Sequence, residues 1–207
     1  MRSDTRRSIK RILEAAGEEM LSNPAQVTLQ SIAARAGIGK ATVYRHFSSL
    51  DDLWAAYMVN SMSDLADFST DSEVSGPELF RTVMTQWVEL VLMNGRVMVQ
   101  LRSRAGYLER LDRGDPVIAT SLRIWERPIA ELLADSGQTL ELLRYALFLC
   151  NVLADPREIS DLHSVEKLTA AKIAIDLESV LRGALVGWSH IDSTPLRQSK
   201  RPNGRSA

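Results

Sequence analysis

Residues 28–47, TLQSIAARAGIGKATVYRHF, decide the architecture. Thr28 can offer its hydroxyl to the amides of the next turn, as an N-cap does. Leu29, Ile32, Ala33 and Ala36 recur at helical spacing and make one apolar face. Gly37 follows, where a helix ending in the left-handed region calls for a residue without Cβ. Ile38 is the lone apolar residue of the turn. A second helix then runs from about Lys40 to Phe47. On it Val43 and Phe47 share the inward side, while Ala41 and Arg45 lie opposite, flanked by Thr42 and Tyr44. Two short helices about a tight glycine turn make a helix-turn-helix.

The outer face of that second helix suits a DNA groove. Ala41 permits close approach, and an arginine such as Arg45 can bond a guanine edge twice. Thr42 can donate to a base or touch a thymine methyl. Lys40, Tyr44 and His46 stand where phosphates would run along the rim. The competing reading is a hairpin inside a helical bundle with a solvated polar face. Apolar spacing, small residues, glycine turn and polar face agree on the first.

Thr28, Ile32, Ala33, Ala36, Gly37, Ile38, Thr42, Val43, Tyr44, His46 and Phe47 together form a specific motif. Through it the segment from about Arg6 to Tyr57 resembles the DNA-binding domain of TetR-type transcriptional regulators. The resemblance implies DNA contacts from Thr28 and Gln30 at the start of the first of the two helices. It implies more from Lys40, Ala41, Thr42, Tyr44, Arg45 and His46 on the second. It also implies a homodimer paired through the last two helices, a small-molecule effector held in the body, and a double-stranded operator. The chain departs from the family pattern at Gly39, where a Ser or Thr cap is commoner, and at Leu50, where many members carry a lysine. Ser49, with Asp52 three residues on, can still cap the fourth helix.

The chain has 207 residues, 45% of them apolar, enough for one or two units with a proper core. No apolar run is long enough to span a membrane, and the basic N-terminus, MRSDTRRSIKRI, has no apolar stretch of the secretory kind. The single cysteine, Cys150, has no intrachain partner and sits in an apolar run, where it reads as a small buried hydrophobe rather than a redox sensor. These features predict a cytoplasmic protein.

The net charge of −1 conceals an asymmetry. Residues 1–47 hold eight basic and four acidic residues, a net of +4, whereas residues 48–196 hold thirteen basic and twenty-two acidic, a net of −9. The last eleven residues add +4. A basic head on an acidic body suits a protein that presents one end to a polyanion.

The fold predicted is all-α. Residues 1–49 form the N-terminal helix-turn-helix domain, 50–191 a helical effector-binding and dimerisation domain, and 192–207 a disordered basic tail. The first helix covers about Thr5 to Leu21, with Arg6, Arg7, Lys10 and Arg11 either solvated or near phosphate. The fourth runs from about Leu50 to Ala66, followed by a polar loop over 67–76. Pro77 opens a helix to Met93, which Asn94-Gly95 ends. Another covers roughly 96–111, and Pro116 opens one to Asp135 with Pro128 as a kink.

Twelve of the fifteen residues from Leu140 to Ala154 are apolar, as are thirteen of the twenty-one from Leu168 to Trp188. A helix apolar around most of its girth needs cover on more than one side. A second copy supplies it economically, through about 138–154 and 167–188, with Gly183, Ala184 and Gly187 permitting close approach. An unusually central monomer core is the other reading.

Met84, Trp87, Val91, Met98, Leu101, Tyr107, Trp125 and Phe148 are candidates to line an effector pocket, since methionine and aromatic walls adapt to apolar ligands. The same residues make ordinary cores, and spacing does not separate the two. Arg102, Arg104 and Arg123 could answer an acidic ligand. No catalytic constellation, metal-ligand spacing or phosphate-cradling glycine loop is present in the sequence, so neither an enzyme nor a cofactor is expected. His163 reads as a loop residue and His190 as lying past a helix end. The expectation is a repressor released from a palindromic operator by a small molecule. The alternative is a helical ligand-binding or protein-interaction module without specific DNA reading.

Overall fold

Thr28 and Ser31 exchange amide-to-hydroxyl hydrogen bonds of 3.0 Å in each direction, and this reciprocal cap starts a helix at Leu29. It ends at Gly37, whose φ of +61° is left-handed. There the amides of Gly37 and Ile38 donate back to the carbonyls of Ala34 and Ala33 at 3.1 and 3.0 Å. The computed structural model describes residues 2–100 and 105–192, and every regular element among them is helical. The helices are α1 (Arg2–Ser22), α2 (Leu29–Ala36), α3 (Lys40–His46), α4 (Leu50–Asp71), α5 (Gly76–Gln100), α6 (Tyr107–Asp112), α7 (Pro116–Asp135), α8 (Leu143–Leu153), α9 (Pro156–Ser164) and α10 (Ala170–Asp192). Single 3-10 turns at Pro24–Gln26 and Leu140–Leu142 join their neighbours. The fold is all-α, with an N-terminal helix-turn-helix and a larger helical body.

Two apolar clusters divide the interior. In the head, Ile12, Leu13 and Ala16 of α1 meet Leu29, Ile32, Ala33 and Ala36 of α2 and Val43 and Phe47, with Ile38 packed at the edge. Leu53 of α4 is buried in the same cluster, so α4 is shared. Its later residues Met62, Leu65 and Ala66 belong to the body cluster, whose centre is α5 and α7 with α8, α9 and α10 around them. At the α1–α4 crossing, a Cβ on Gly17 would come within 3.0 Å of the Tyr57 ring, so this close approach depends on glycine.

The body departs from the sequence reading in several places. The fourth helix does not stop at Ala66, and residues 67–71 are helical rather than loop. Ser69 is fully buried and bonds across to α7, while Arg127 gathers the carbonyls of Ser72 and Val74 at 2.8 and 3.0 Å beyond the helix end. Glu131 holds Arg127 at 2.8 Å and accepts from the Gly76 amide, which fixes the start of α5.

Asn94-Gly95 likewise fails to end its helix. Gly95 is buried within α5, facing Ser160 of α9, and its backbone continues the helix. The expected helix over 96–111 is therefore replaced by the end of α5 and the short α6. His163 stands on α9 and not in a loop, with Nδ1 2.9 Å from the Leu168 carbonyl. His190 lies within α10. Leu101, Arg102, Arg104 and the basic tail from residue 193 onward lie outside the described residues.

Candidate nucleic-acid interface and the cavity behind it

The recognition face assembles from local rules. Val43 is fully buried and Phe47 nearly so, which fixes the roll of α3 against α2. That roll turns Lys40, Ala41, Tyr44 and Arg45 outward, with Thr42 half-buried beside them. Thr28 and Gln30 are exposed at the start of α2. The Thr28 hydroxyl is already the cap of that helix, so its first role is structural. His46 is half-buried, and its Nε2 is buried with no hydrogen-bond partner among the described residues, so only part of the ring reaches the surface.

Leu50 packs half-buried on the head cluster, where a phosphate-gripping lysine would have pointed out. Gly39 precedes α3 with no side-chain cap. Ser49 does cap α4, accepting from the Asp52 amide at 3.0 Å. The hydroxyls of Ser48 and Ser49 hold the Asp52 carboxyl below its ordinary pKa.

Charge pairing separates head from body. Every arginine of residues 48–192 whose side chain the structure describes has an acidic partner: Arg81 with Glu178, Arg110 with Asp115, Arg113 with Glu109, Arg123 with Asp67, Arg127 with Glu131, Arg144 with Asp112, Arg157 with Asp155, and Arg182 with Glu178 and Asp135. In the head, Lys40 and Arg45 on α3 and Arg6 and Arg7 on α1 have no ion pair among the described residues. Arg11, from the same basic face of α1, instead caps α2 by donating to the Ala36 carbonyl at 2.6 Å. Arg35 is tied to Glu19 at 2.5 Å, and that bond raises its pKa. Unpaired cations on one end of an acidic molecule are what a polyanion can neutralise without displacing an intrachain partner.

A cavity of about 1080 Å³ opens between this head and the body. Four of the candidate lining residues meet on its wall: Trp87, Met98, Tyr107 and Trp125. Met84 and Val91 are buried in the body core without reaching it, and Phe148 is half-buried on α8. Arg123 is exposed and bonded to Asp67, away from the wall. The sequence reading missed Trp54, Met58 and Met62, which line the cavity from α4. Their spacing of four residues was the available signal, since it puts all three on one helical stripe. Met20 and Val27 add wall from the head, so both units enclose the same space. Burial, with minor charge effects, pushes the Tyr107 hydroxyl up to about 12, so it stays protonated.

An exposed, unpaired basic helix held by a glycine turn is the arrangement of a helix-turn-helix motif. Residues 12–57 match the model of the family described as bacterial regulatory proteins, tetR family. Over that N-terminal segment the chain is similar to the tetR family of bacterial regulatory proteins. No curated protein sequence matches the chain.

Among solved structures, the transcriptional regulator FadR from Bacillus subtilis, in complex with stearoyl-CoA, superposes with a TM-score of 0.64 at 16% identity, covering 83% of this chain and 96% of that one. The fatty acid degradation regulator FadR from Bacillus halodurans gives 0.63 at 17% identity, covering 86% and 96%. A tetR-family regulator from Streptomyces coelicolor gives 0.59 at 19% identity, covering 88% and 84%. At these identities the likeness is one of fold.

Proposed function

We propose that the protein is a homodimeric, cytoplasmic repressor that reads an approximately palindromic operator and leaves it when a small molecule enters the cavity. The observation that carries this is the contrast in pairing. The described arginines of the body are closed on acids, while Lys40 and Arg45 on α3 stand free beside Ala41, Thr42 and Tyr44. Lys40, Tyr44 and His46 are assigned to phosphates, and Arg45, Thr42 and Ala41 to base edges, with Thr28 and Gln30 steadying the entry of α2.

The dimer reading rests on α8 and α10. Tyr145 and Val152 on α8, and Ile175, Val180 and Val186 on α10, are large apolar side chains left between 41% and 52% exposed. Tyr145 and Trp188 join the two helices, their rings 5.0 Å apart. Contiguous apolar area of this kind calls for a partner. Two copies present two recognition helices, hence two half-sites.

The effector reading rests on the cavity, because its wall is shared. Met20 and Val27 come from the head, Trp87 and Trp125 from the body, and Trp54 and Met58 from α4, which joins them. A ligand there has differential contacts with any two arrangements of head and body, the requirement for shifting an equilibrium. The domain division at residues 49 and 50 follows the same plan, with α4 as the shared element.

Selection of bound duplexes from a random DNA library, at near-physiological salt, tests the proposal. An enriched inverted repeat is expected. Absence of enrichment by folded protein would overturn specific reading and leave a helical ligand-binding or protein-interaction module.

A further inference from the structure

We propose that the cavity selects an uncharged, largely apolar molecule that presents hydrogen-bond acceptors, such as a ketone or an ether. The inference rests on the reading of that cavity as the effector site. Its first support is that, among the described residues, the charged side chains deep in the wall are already committed. Arg110 grips Asp115 through two bonds of 3.0 and 3.1 Å, and the same carboxylate caps α7 through the amides of Val117 and Ile118 at 2.9 and 3.3 Å. Asp155 caps α9 through the Arg157 amide at 2.9 Å and takes two bonds from its guanidinium at 3.2 and 3.0 Å. Among the described residues, the other charged one on the wall, Asp51, is exposed at the start of α4. An ionic ligand would have to break one of these sets or stay unpaired, and an unpaired ion away from water is costly.

The second support is the set of neutral polar groups left over. Trp87 Nε1 is taken by the Ala154 carbonyl at 3.0 Å. Trp125 is 5% exposed and lines the cavity, and its indole N–H has no hydrogen bond among the described residues. Tyr107, 7% exposed, offers a hydroxyl on the same terms, and the half-buried Asn151 adds a carboxamide. An indole N–H is a donor only, and the Tyr107 hydroxyl, which keeps its proton, can donate as well, so a ligand that satisfies both groups supplies acceptors. Met58, Met62 and Met98 surround them with adaptable apolar wall.

Probes that share one ring system and differ in charge separate the possibilities. Calorimetric titration of the full-length protein would use 2-acetylnaphthalene, 2-naphthoate, 2-naphthyltrimethylammonium, unsubstituted naphthalene and stearoyl-CoA. The ketone is expected to bind at least about tenfold more tightly than either ionic analogue, the desolvation of an unpaired charge making the difference. Trp125→Phe and Tyr107→Phe are each expected to weaken the ketone about three- to tenfold while leaving naphthalene unchanged, as loss of one hydrogen bond requires. Should Trp125→Phe fail to fold, Tyr107→Phe, which removes one oxygen, carries the comparison alone.

Tighter binding of the carboxylate, the ammonium or the CoA thioester overturns the proposed class and leaves the cavity as an effector site. Binding of none of the probes also overturns it. The effector-site reading is then decided separately, by whether any small-molecule fraction of a cell extract releases the protein from its selected operator.

Discussion

The Ser69 hydroxyl donates to the Ile124 carbonyl at 2.7 Å, across the junction of α4 and α7. Ile124 is the residue four before Pro128, which sits inside α7 and has no N–H to give. One side chain on α4 thus satisfies the acceptor that proline leaves open. Both residues are buried, so water does not substitute. Ser69→Ala is expected to destabilise the protein by about 1–3 kcal/mol, the cost of a buried unpartnered polar group. In a Pro128→Ala background the helix supplies its own donor, and the penalty should fall below about 0.5 kcal/mol. Urea unfolding of the four proteins checks this, and equal penalties in both backgrounds would refute it.

Arg45 and Lys40 should separate reading from gripping. Arg45→Ala, at an exposed position, is expected to leave stability within about 0.5 kcal/mol. Affinity for the selected operator should fall by about 1–3 kcal/mol, with relaxed preference at one base pair of each half-site. Lys40→Ala should weaken all sequences alike and reduce the log–log salt slope by about one unit per subunit. Fluorescence anisotropy on specific and scrambled duplexes over a salt series makes both readings. A sequence-selective effect of Lys40, or a uniform effect of Arg45, would reverse their roles.

The head was legible because its determinants are local. Thr28, Gly37 and the spacing of Ile32, Ala33 and Val43 each act within one or two turns of chain, and the structure places all of them as read. The body was less legible because its determinants are distant in sequence. Ser69, within the extended end of α4, bonds to Ile124 of α7, and Gly95, within α5, faces Ser160 of α9. Residue type alone suggested a loop and a break. Of the pocket candidates, Trp87 and Trp125 line the cavity while Met84 is core, since side-chain chemistry does not say which face a neighbouring helix will cover.

The two glycines around the turn should respond oppositely. Gly37 has a φ of +61°, and an added Cβ would lie 3.3 Å from the Arg11 guanidinium that caps α2. Gly37→Ala is therefore expected to cost about 1–2 kcal/mol. Gly39 has an ordinary φ of −59° and open space where a Cβ would go. Gly39→Ser places a capping hydroxyl at the start of α3 and should stabilise by a few tenths of a kcal/mol, roughly the margin by which Ser exceeds Gly as a cap. Thermal unfolding distinguishes them, and a destabilising Gly39→Ser would mean that the cap is not formed.

Asp115 gives the stability a defined acid limb. Burial alone would raise its pKa, but the hydrogen bonds and charge of Arg110, with the amides of Val117 and Ile118, outweigh it and hold the carboxyl below the ordinary 3.8. A native pKa below the unfolded one means that the unfolded chain binds the proton first. The contribution is therefore whole above the unfolded value and is lost as pH falls through the native one. Asp115→Asn is expected to be less stable than wild type at pH 6, with the gap closing below about pH 4. Urea midpoints over that range decide it, and a gap that stays constant would show that Asp115 acts through its shape as a cap and not its charge.

Gly183 offers a test of the dimer that a folding defect cannot imitate. It lies on α10 between the exposed Val180 and Val186, and a Cβ there would meet nothing within 4 Å. Within one protomer a larger residue is therefore free of clash, and leaving glycine in a helix interior even favours folding by roughly 0.5–1 kcal/mol. Between two copies packed through this face, the same side chain would separate helices that glycine lets approach, and a charge would be stripped of water without a partner. Gly183→Glu is expected to sediment as a folded monomer with unchanged helix content. It should also lose most of its affinity for a full inverted repeat, since one subunit then holds one half-site. A dimer that survives the substitution would move the interface off this face of α10, and a wild-type protein that is already monomeric would remove it altogether.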